Sequence, residues 1–226
     1  MGKVLIPTLI EATNLSDSWF QCIKAVLSDK NTHRYVVAEG GSFAGQERLE
    51  LDLAIINILK PGMRPLTPFT PQGILAPCSE DYFVDYLPYL LTSERHPKEE
   101  YTYGQYLELQ IPKAIEMFKN TDEGNNQVCM RIGNDKSIFL GSPPCLVSID
   151  CRLLDNKLSF LVQFRSWDLW GGYPANLGAL QILKEHMAEE IGVEDGQMLA
   201  VSKGLHLYDH CWELGKAVLG ENNEIN

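Results

Sequence analysis

Four short stretches in the C-terminal half carry side chains able to do chemistry. Pro143-Pro144-Cys145 sets a thiol behind two residues that cannot continue a helix, at the entry to a strand, where a sulfur can be aimed rigidly into a cavity. The nine residues Phe164-Arg165-Ser166-Trp167-Asp168-Leu169-Trp170-Gly171-Gly172 bring together a guanidinium, a hydroxyl, a carboxylate and two indoles. Tyr173-Pro174-Ala175-Asn176 places an amide in the first turn of a helix, and His206-Leu207-Tyr208 sets an imidazole and a phenol two apart, on one side of an extended chain. Each also has an ordinary structural explanation. A lone Cys is usually a small buried hydrophobe, Asp168 a helix cap, Asn176 a first-turn polar group, and Trp167 and Trp170 core. His206 and His210 have the i,i+4 spacing of a metal pair, but no HExxH-like context surrounds them, so no metal is expected. A protease pairing Cys145 with His206 would need an oxyanion hole, and no Gly-rich signature supplies one.

The elements that must hold these groups follow from periodicity and breakers. Ser16 followed by Trp19, Phe20, Ile23, Val26 and Leu27 reads as an N-capped amphipathic helix. Arg34–Val37, a turn at Gly40-Gly41, and 46–59, where Leu49, Leu51 and Ala54 lean towards alternation, read as strands and a turn. Five prolines between Pro61 and Pro77 leave few backbone donors, which predicts a long irregular connection. Ser79–Thr92 reads as a helix with Phe83, Tyr86, Leu87, Leu90 and Leu91 on one face and a kink at Pro88. Residues 93–100 are charged and exposed, and 103–120 is helical with an interruption at Pro112. Then come a strand over Val128–Ile132, a hairpin of 146–153 and 158–164 turning at Asp155-Asn156, and a helix opened by Pro174 and ended by Gly192. A strand over 197–201 and a last helix from about His206 to Leu219 complete the reading. Without a βαβ rhythm the pattern predicts an α+β fold, a mixed sheet covered by helices.

Composition excludes several function classes. Of 226 residues, 30 are Asp or Glu against 19 Lys or Arg, a net charge of −11. Such a surplus repels phosphate backbones and anionic lipid, so neither nucleic acid nor membrane is an expected partner; a small anion needs only a few local cations. No apolar run approaches the roughly 18 residues of a spanning helix, and the opening residues lack a signal-peptide pattern. The six cysteines show no CxxC pair or framework spacing, which suits a reducing compartment. A soluble, cytoplasmic protein is expected.

The order and spacing of the four stretches resemble the thymidylate synthase and pyrimidine-nucleotide hydroxymethylase superfamily, most of all its compact archaeal-type members. Arg165 follows Cys145 by 20 residues, Asn176 by 31 and Tyr208 by 63, as in that pattern. The firm likeness runs from Pro143 to Tyr208, with a fainter extension over Tyr101–Gln105 and around Asn134. It implies one thymidylate synthase-like domain over 1–226, weakly matched in 1–100, with 101–226 carrying the site. It also implies methylation of dUMP to dTMP through a covalent bond from the Cys145 thiolate to C6 of the base. The donor and reductant would be a methylene-tetrahydropterin, either 5,10-methylenetetrahydrofolate or a methanopterin-type analogue. By the same resemblance Arg165 and Ser166 bind the phosphate, and Arg34 joins them on an ungapped count. Asn176 reads the base, Asp168 anchors base and pterin, and His206 and Tyr208 hold the sugar hydroxyl.

A free thiol is only a few per cent ionised at pH 7, and Arg165 is the natural group to lower its pKa. The family's catalytic acid falls among Glu80, Asp81 and Asp85. A homodimer is implied. However, Asn126 and Gln127 stand where the family places two arginines lent to the partner subunit, and Arg131 lies ~13 Å further along the strand. The chain ends soon after its last helix, where folate-using members continue into a closing tail, so the expectation is either weaker binding of methylenetetrahydrofolate or use of a methanopterin-type pterin in its place. The alternatives are a dUMP or dCMP 5-hydroxymethylase and a nucleotide-binding protein without catalysis.

Overall fold

The computed structural model describes residues 4–28, 32–37, 43–97, 99–121 and 125–220. In chain order the elements are β1 (Pro7–Ala12), α1 (Leu15–Ser28), β2 (Thr32–Val36), β3 (Glu47–Leu51), β4 (Leu53–Ile58), α2 (Glu80–Leu91), α3 (Gly104–Leu107), α4 (Gln110–Lys119), β5 (Cys129–Arg131), β6 (Leu146–Leu154), β7 (Lys157–Phe164), β8 (Trp167–Asp168), α5 (Gly172–Ile191), β9 (Glu194–Ser202), β10 (Leu205–Tyr208) and α6 (Trp212–Val218). A six-stranded mixed sheet runs β1-β4-β9-β7-β6-β5, and a four-stranded one runs β2-β3-β10-β8. Helices α1 and α5 pack against strands of both sheets. This is the expected α+β arrangement of helices on mixed sheets.

Three very short corners join the sheets. Asp52 alone separates β3 from β4, Arg165-Ser166 separates β7 from β8, and Lys203-Gly204 separates β9 from β10. Hydrogen bonds lace the last two together, from Lys203 N–H to the Phe164 carbonyl (3.2 Å) and from Trp167 N–H to the Gly204 carbonyl (3.1 Å). Gly204 turns with φ +82°, a left-handed conformation that L side chains rarely adopt.

Local chemistry explains most boundaries. Asp155 and Asn156 both take positive φ (49° and 58°), the two-residue turn that matches strand twist, so β6 and β7 pair directly. Ser79 caps α2 by accepting from Tyr82 N–H, and Gly192 ends α5 at φ +88°. Pro112 sits in the first turn of α4, where its missing N–H costs little. Residues 60–78 contain no helix or strand, as their prolines require.

α5 is buried on most sides. Leu177, Leu180, Leu183 and Met187 are each at most 2% exposed, and burying each contributes about 1.5–3 kcal/mol. Among the described residues, no helix covers the other face of the six-stranded sheet. Leu9, Ile55 and Val201 lie abreast there, beside Leu199 and Leu161.

Three expectations change. The α1 cap is Asn14, whose side chain accepts from Asp17 N–H (2.9 Å) while Asp17 accepts from Thr13 N–H (2.7 Å); Ser16 lies inside the first turn. The strands read within 46–59 exist but belong to different sheets. The last helix begins only at Trp212, because 205–208 is strand, paired with both β3 and β8. The Gly40-Gly41 turn lies outside the described residues.

Candidate active site

The corners bring the four stretches together. Cys145 precedes β6 and Arg165 follows β7, so hairpin pairing sets them side by side, with Arg165 N–H donating to the Cys145 carbonyl (2.8 Å). The guanidinium turns back onto the loop, donating from Nε to the Pro144 carbonyl (3.0 Å) and from Nη2 to the Pro143 carbonyl (2.5 Å). The two prolines therefore supply acceptors that fix the cation beside the sulfur. Burial pushes the half-buried Cys145 thiol above its ordinary value, and the Arg165 charge opposes that without reversing it. The resting sulfur is thus a thiol at neutral pH, less ionised than Arg165 alone would make it. Tyr103, buried, accepts from Leu146 N–H through its hydroxyl (3.2 Å).

The start of α5 is organised by Asp168. Its Oδ2 accepts from Gly171 N–H (3.1 Å) and Gly172 N–H (2.9 Å), and its Oδ1 from Trp170 N–H (3.3 Å). That satisfies helix donors otherwise left open and puts a negative charge at the positive end of the helix. Within the first turns, Asn176 is held from two sides. Its Oδ1 accepts from the Trp167 indole (2.9 Å), and its Nδ2 donates to the Tyr86 hydroxyl (2.6 Å). An amide can make four hydrogen bonds, so one donor and one acceptor remain.

Strand β10 contributes His206 and Tyr208, which share a face as alternation requires; their rings meet edge to face at 4.9 Å. His206 donates from Nδ1 to the Gly204 carbonyl (2.9 Å), burial lowers its pKa, and its buried Nε2 is left as an acceptor without a partner. Glu50 and Arg48 lie opposite on β3 and form an ion pair (2.7 Å). Ser166 is half-buried at the corner between Arg165 and Trp167.

Arg34 is not in this cluster. It is paired with Leu49, which is paired with Leu207, so it occupies the sheet face opposite His206 and Tyr208. There it bonds Glu47 and lies over the Trp212 ring at 5.2 Å. An ungapped count carries no information on which face a strand residue takes. His206 and His210 lie on a strand and a following turn rather than one helix face, and His210 bonds Gln46. Among the described residues no group of three or more His, Cys, Asp or Glu could hold a metal ion.

Aromatic residues of α2 and of the segment before α3 form a wall, of which only Tyr86 is read from the sequence as part of an apolar helix face. Tyr82, Tyr86, Tyr89, Tyr101 and Tyr103 follow one another at centroid distances between 5.1 and 6.3 Å. A cleft of about 700 Å³ is lined by Tyr82, Tyr86, Tyr89 and Tyr103 together with Arg95 and His96. Asp85 also lines it, whereas Asp81 is exposed and does not. The Glu80 side chain lies outside the described residues. A second cleft of about 370 Å³ holds Asn176 and Tyr86 beside Gly171 and Gly172.

Comparison with known proteins adds an independent line. The family model described as Thymidylate synthase matches residues 97–224. A Methanosarcina mazei protein named "Putative thymidylate synthase" is 31% identical over 219 residues, covering 94% of this chain and 95% of the relative. The chain belongs to the thymidylate synthase family. Proteins of the same name from Methanosarcina acetivorans and Methanothermobacter marburgensis are 28% and 24% identical, again over more than nine-tenths of each chain. The thymidylate synthase family is one of methyltransferases that act on dUMP or in a related reaction, and it generally uses a methylene-pterin. No helix among the described residues is long and apolar enough to cross a membrane.

Proposed function

We propose that this chain methylates dUMP to dTMP in the cytoplasm, with a methylene-tetrahydropterin as one-carbon donor. One observation carries the reading: a thiol lies beside a guanidinium fixed by the loop that precedes it, and Trp167, two residues beyond that arginine, holds an amide with one donor and one acceptor to spare. The Cys145 thiol gives its proton to solvent, and the resulting thiolate attacks C6 of the pyrimidine, which makes C5 the nucleophile. Arg165 lowers the cost of that charge at sulfur and, with Ser166, binds the phosphate. Asn176 donates to O4 and accepts from N3–H of uracil. His206 and Tyr208 face the sugar hydroxyl, for which the unpartnered Nε2 of His206 is a fitting acceptor. Asp168 fixes the start of α5, on which Asn176 rides.

The tyrosine-lined cleft suits a flat heteroaromatic ring in size and lining. Tyr82, Tyr86 and Tyr89 would hold a pterin there; when bound, the cofactor supplies the methylene unit and the hydride. The bare apolar strip of Leu9, Ile55, Val201, Leu199 and Leu161 supports a homodimer through that sheet face. Arg131 lies on the same face, in register with Ser148 and Gln163.

Incubation with 5-fluoro-dUMP and either methylenetetrahydrofolate or its methanopterin analogue, followed by intact-mass measurement, tests the whole reading. The expected result is a stable adduct at Cys145 with one of the two pterins. No adduct with either would overturn it; with dUMP in place of 5-fluoro-dUMP, a released product heavier by one oxygen than dTMP would make the enzyme a hydroxymethylase.

A further inference from the structure

We infer that Trp167 is a positioning residue that decides which pyrimidine is accepted, because its indole locks the flip state of the Asn176 amide. The inference rests on the reading of Asn176 as the group that faces the base.

An amide does not by itself prefer uracil. With Nδ2 on O4 and Oδ1 on N3–H it fits uracil; rotated by a half-turn, Oδ1 accepts from the cytosine N4 amine and Nδ2 donates to N3. The two flip states read the two bases equally well, so selectivity requires something that forbids one of them. In this chain that something is visible. An indole N–H is a donor and nothing else, and Trp167 points it at Asn176 from 2.9 Å, so an oxygen must stand there. The nitrogen is thereby sent to the Tyr86 hydroxyl at 2.6 Å.

Tyr86 could serve either flip state, since a hydroxyl both donates and accepts. The indole cannot. Nor is it free to move away: Trp167 is 2% exposed, stacked on Phe164 at 3.8 Å and 7°, and packed on Tyr173 at 4.4 Å. Reversing the amide would point its NH2 at the indole N–H and leave both donors buried without an acceptor.

The test measures dissociation constants for dUMP and dCMP by calorimetry. Wild type is compared with Trp167→Phe, and with a protein carrying 3-benzothienylalanine at Trp167, which keeps the bicyclic ring and lacks the N–H. The dUMP preference is expected to fall by about tenfold or more in both, chiefly through tighter dCMP binding, which a loosened fold would not produce. Asn176→Asp provides the control. A carboxylate has no polarity to reverse, so its preference for dCMP should be the same with Trp or Phe at 167. A wild type that fails to bind dUMP would overturn the assigned function and this inference with it. A wild type that prefers dUMP, with the preference intact in both N–H-less proteins, would overturn the inference alone.

Discussion

The two halves of α5 both put polar side chains where a helix is buried, and they use them in opposite ways. Towards its C-terminal end, Lys184 is fully buried, and its three N–H groups meet the carbonyls of Gly196 and Gln197 and the Asp195 carboxylate. Gln181 and Glu185 extend the network to Arg64. At its N-terminal end Asn176 uses half of its capacity, and His206 nearby keeps an unpartnered nitrogen. A buried polar group whose bonds are all made holds the fold. Leftover capacity points to a ligand where it opens on a cleft, as at Asn176; the buried Oε1 of Gln181 also lacks a partner but lines neither cleft described above.

The contrast can be broken from either side. The largest effect is expected from Cys145→Ser, which should lower turnover by at least about 10³-fold while dUMP affinity stays within a few-fold of wild type. Retained turnover would remove the covalent step. At the opposite end, Lys184→Met should cost about 3 kcal/mol in thermal or urea unfolding, since carbonyls and a carboxylate lose their partner, with dUMP affinity unchanged. Altered affinity would join the two ends functionally.

The same lysine should leave a signature in pH. Burial pushes its pKa down to about 8, with Asp195 opposing, so between about pH 8 and 10.5 the unfolded chain holds a proton that the folded one has released. Wild type should therefore gain stability relative to Lys184→Met as pH rises through that window, by about 2 kcal/mol near pH 10. A flat difference would mean that Lys184 stays charged in the fold.

The smallest effect is at Arg165→Gln. Removing the cation should raise the Cys145 thiol further and slow its alkylation by iodoacetamide at pH 8 several-fold, read by peptide mass. An unchanged rate would detach the guanidinium from the sulfur.

Legibility in the sequence followed the range of the interactions. The β6–β7 hairpin, the Ser79 cap and the Gly192 stop were readable because turn and cap chemistry is local. The sequence reads 205–208 as the start of a helix because what makes it a strand is pairing with β3 and β8, more than 150 and nearly 40 residues away, and its apolar spacing suits either state. The Asn14 cap lost to Ser16 because both residue types cap helices well. Cys145, Arg165 and Asn176 stood out by type and spacing. Tyr86, Arg48 and Glu50 did not, since an aromatic on a helix face and a charge pair on a strand look like core and surface until the sheets are assembled.

The corners at Asp52, Arg165-Ser166 and Lys203-Gly204 limit where this chain can change length. One residue added at any of them would displace a neighbouring strand by a full ~3.3 Å and carry the guanidinium or the imidazole away from the sulfur. Insertions and deletions are therefore admissible in the proline-rich stretch of 60–78 and in 93–97, where no ladder is at stake, and they would reshape the cleft walls while leaving the reacting groups in place.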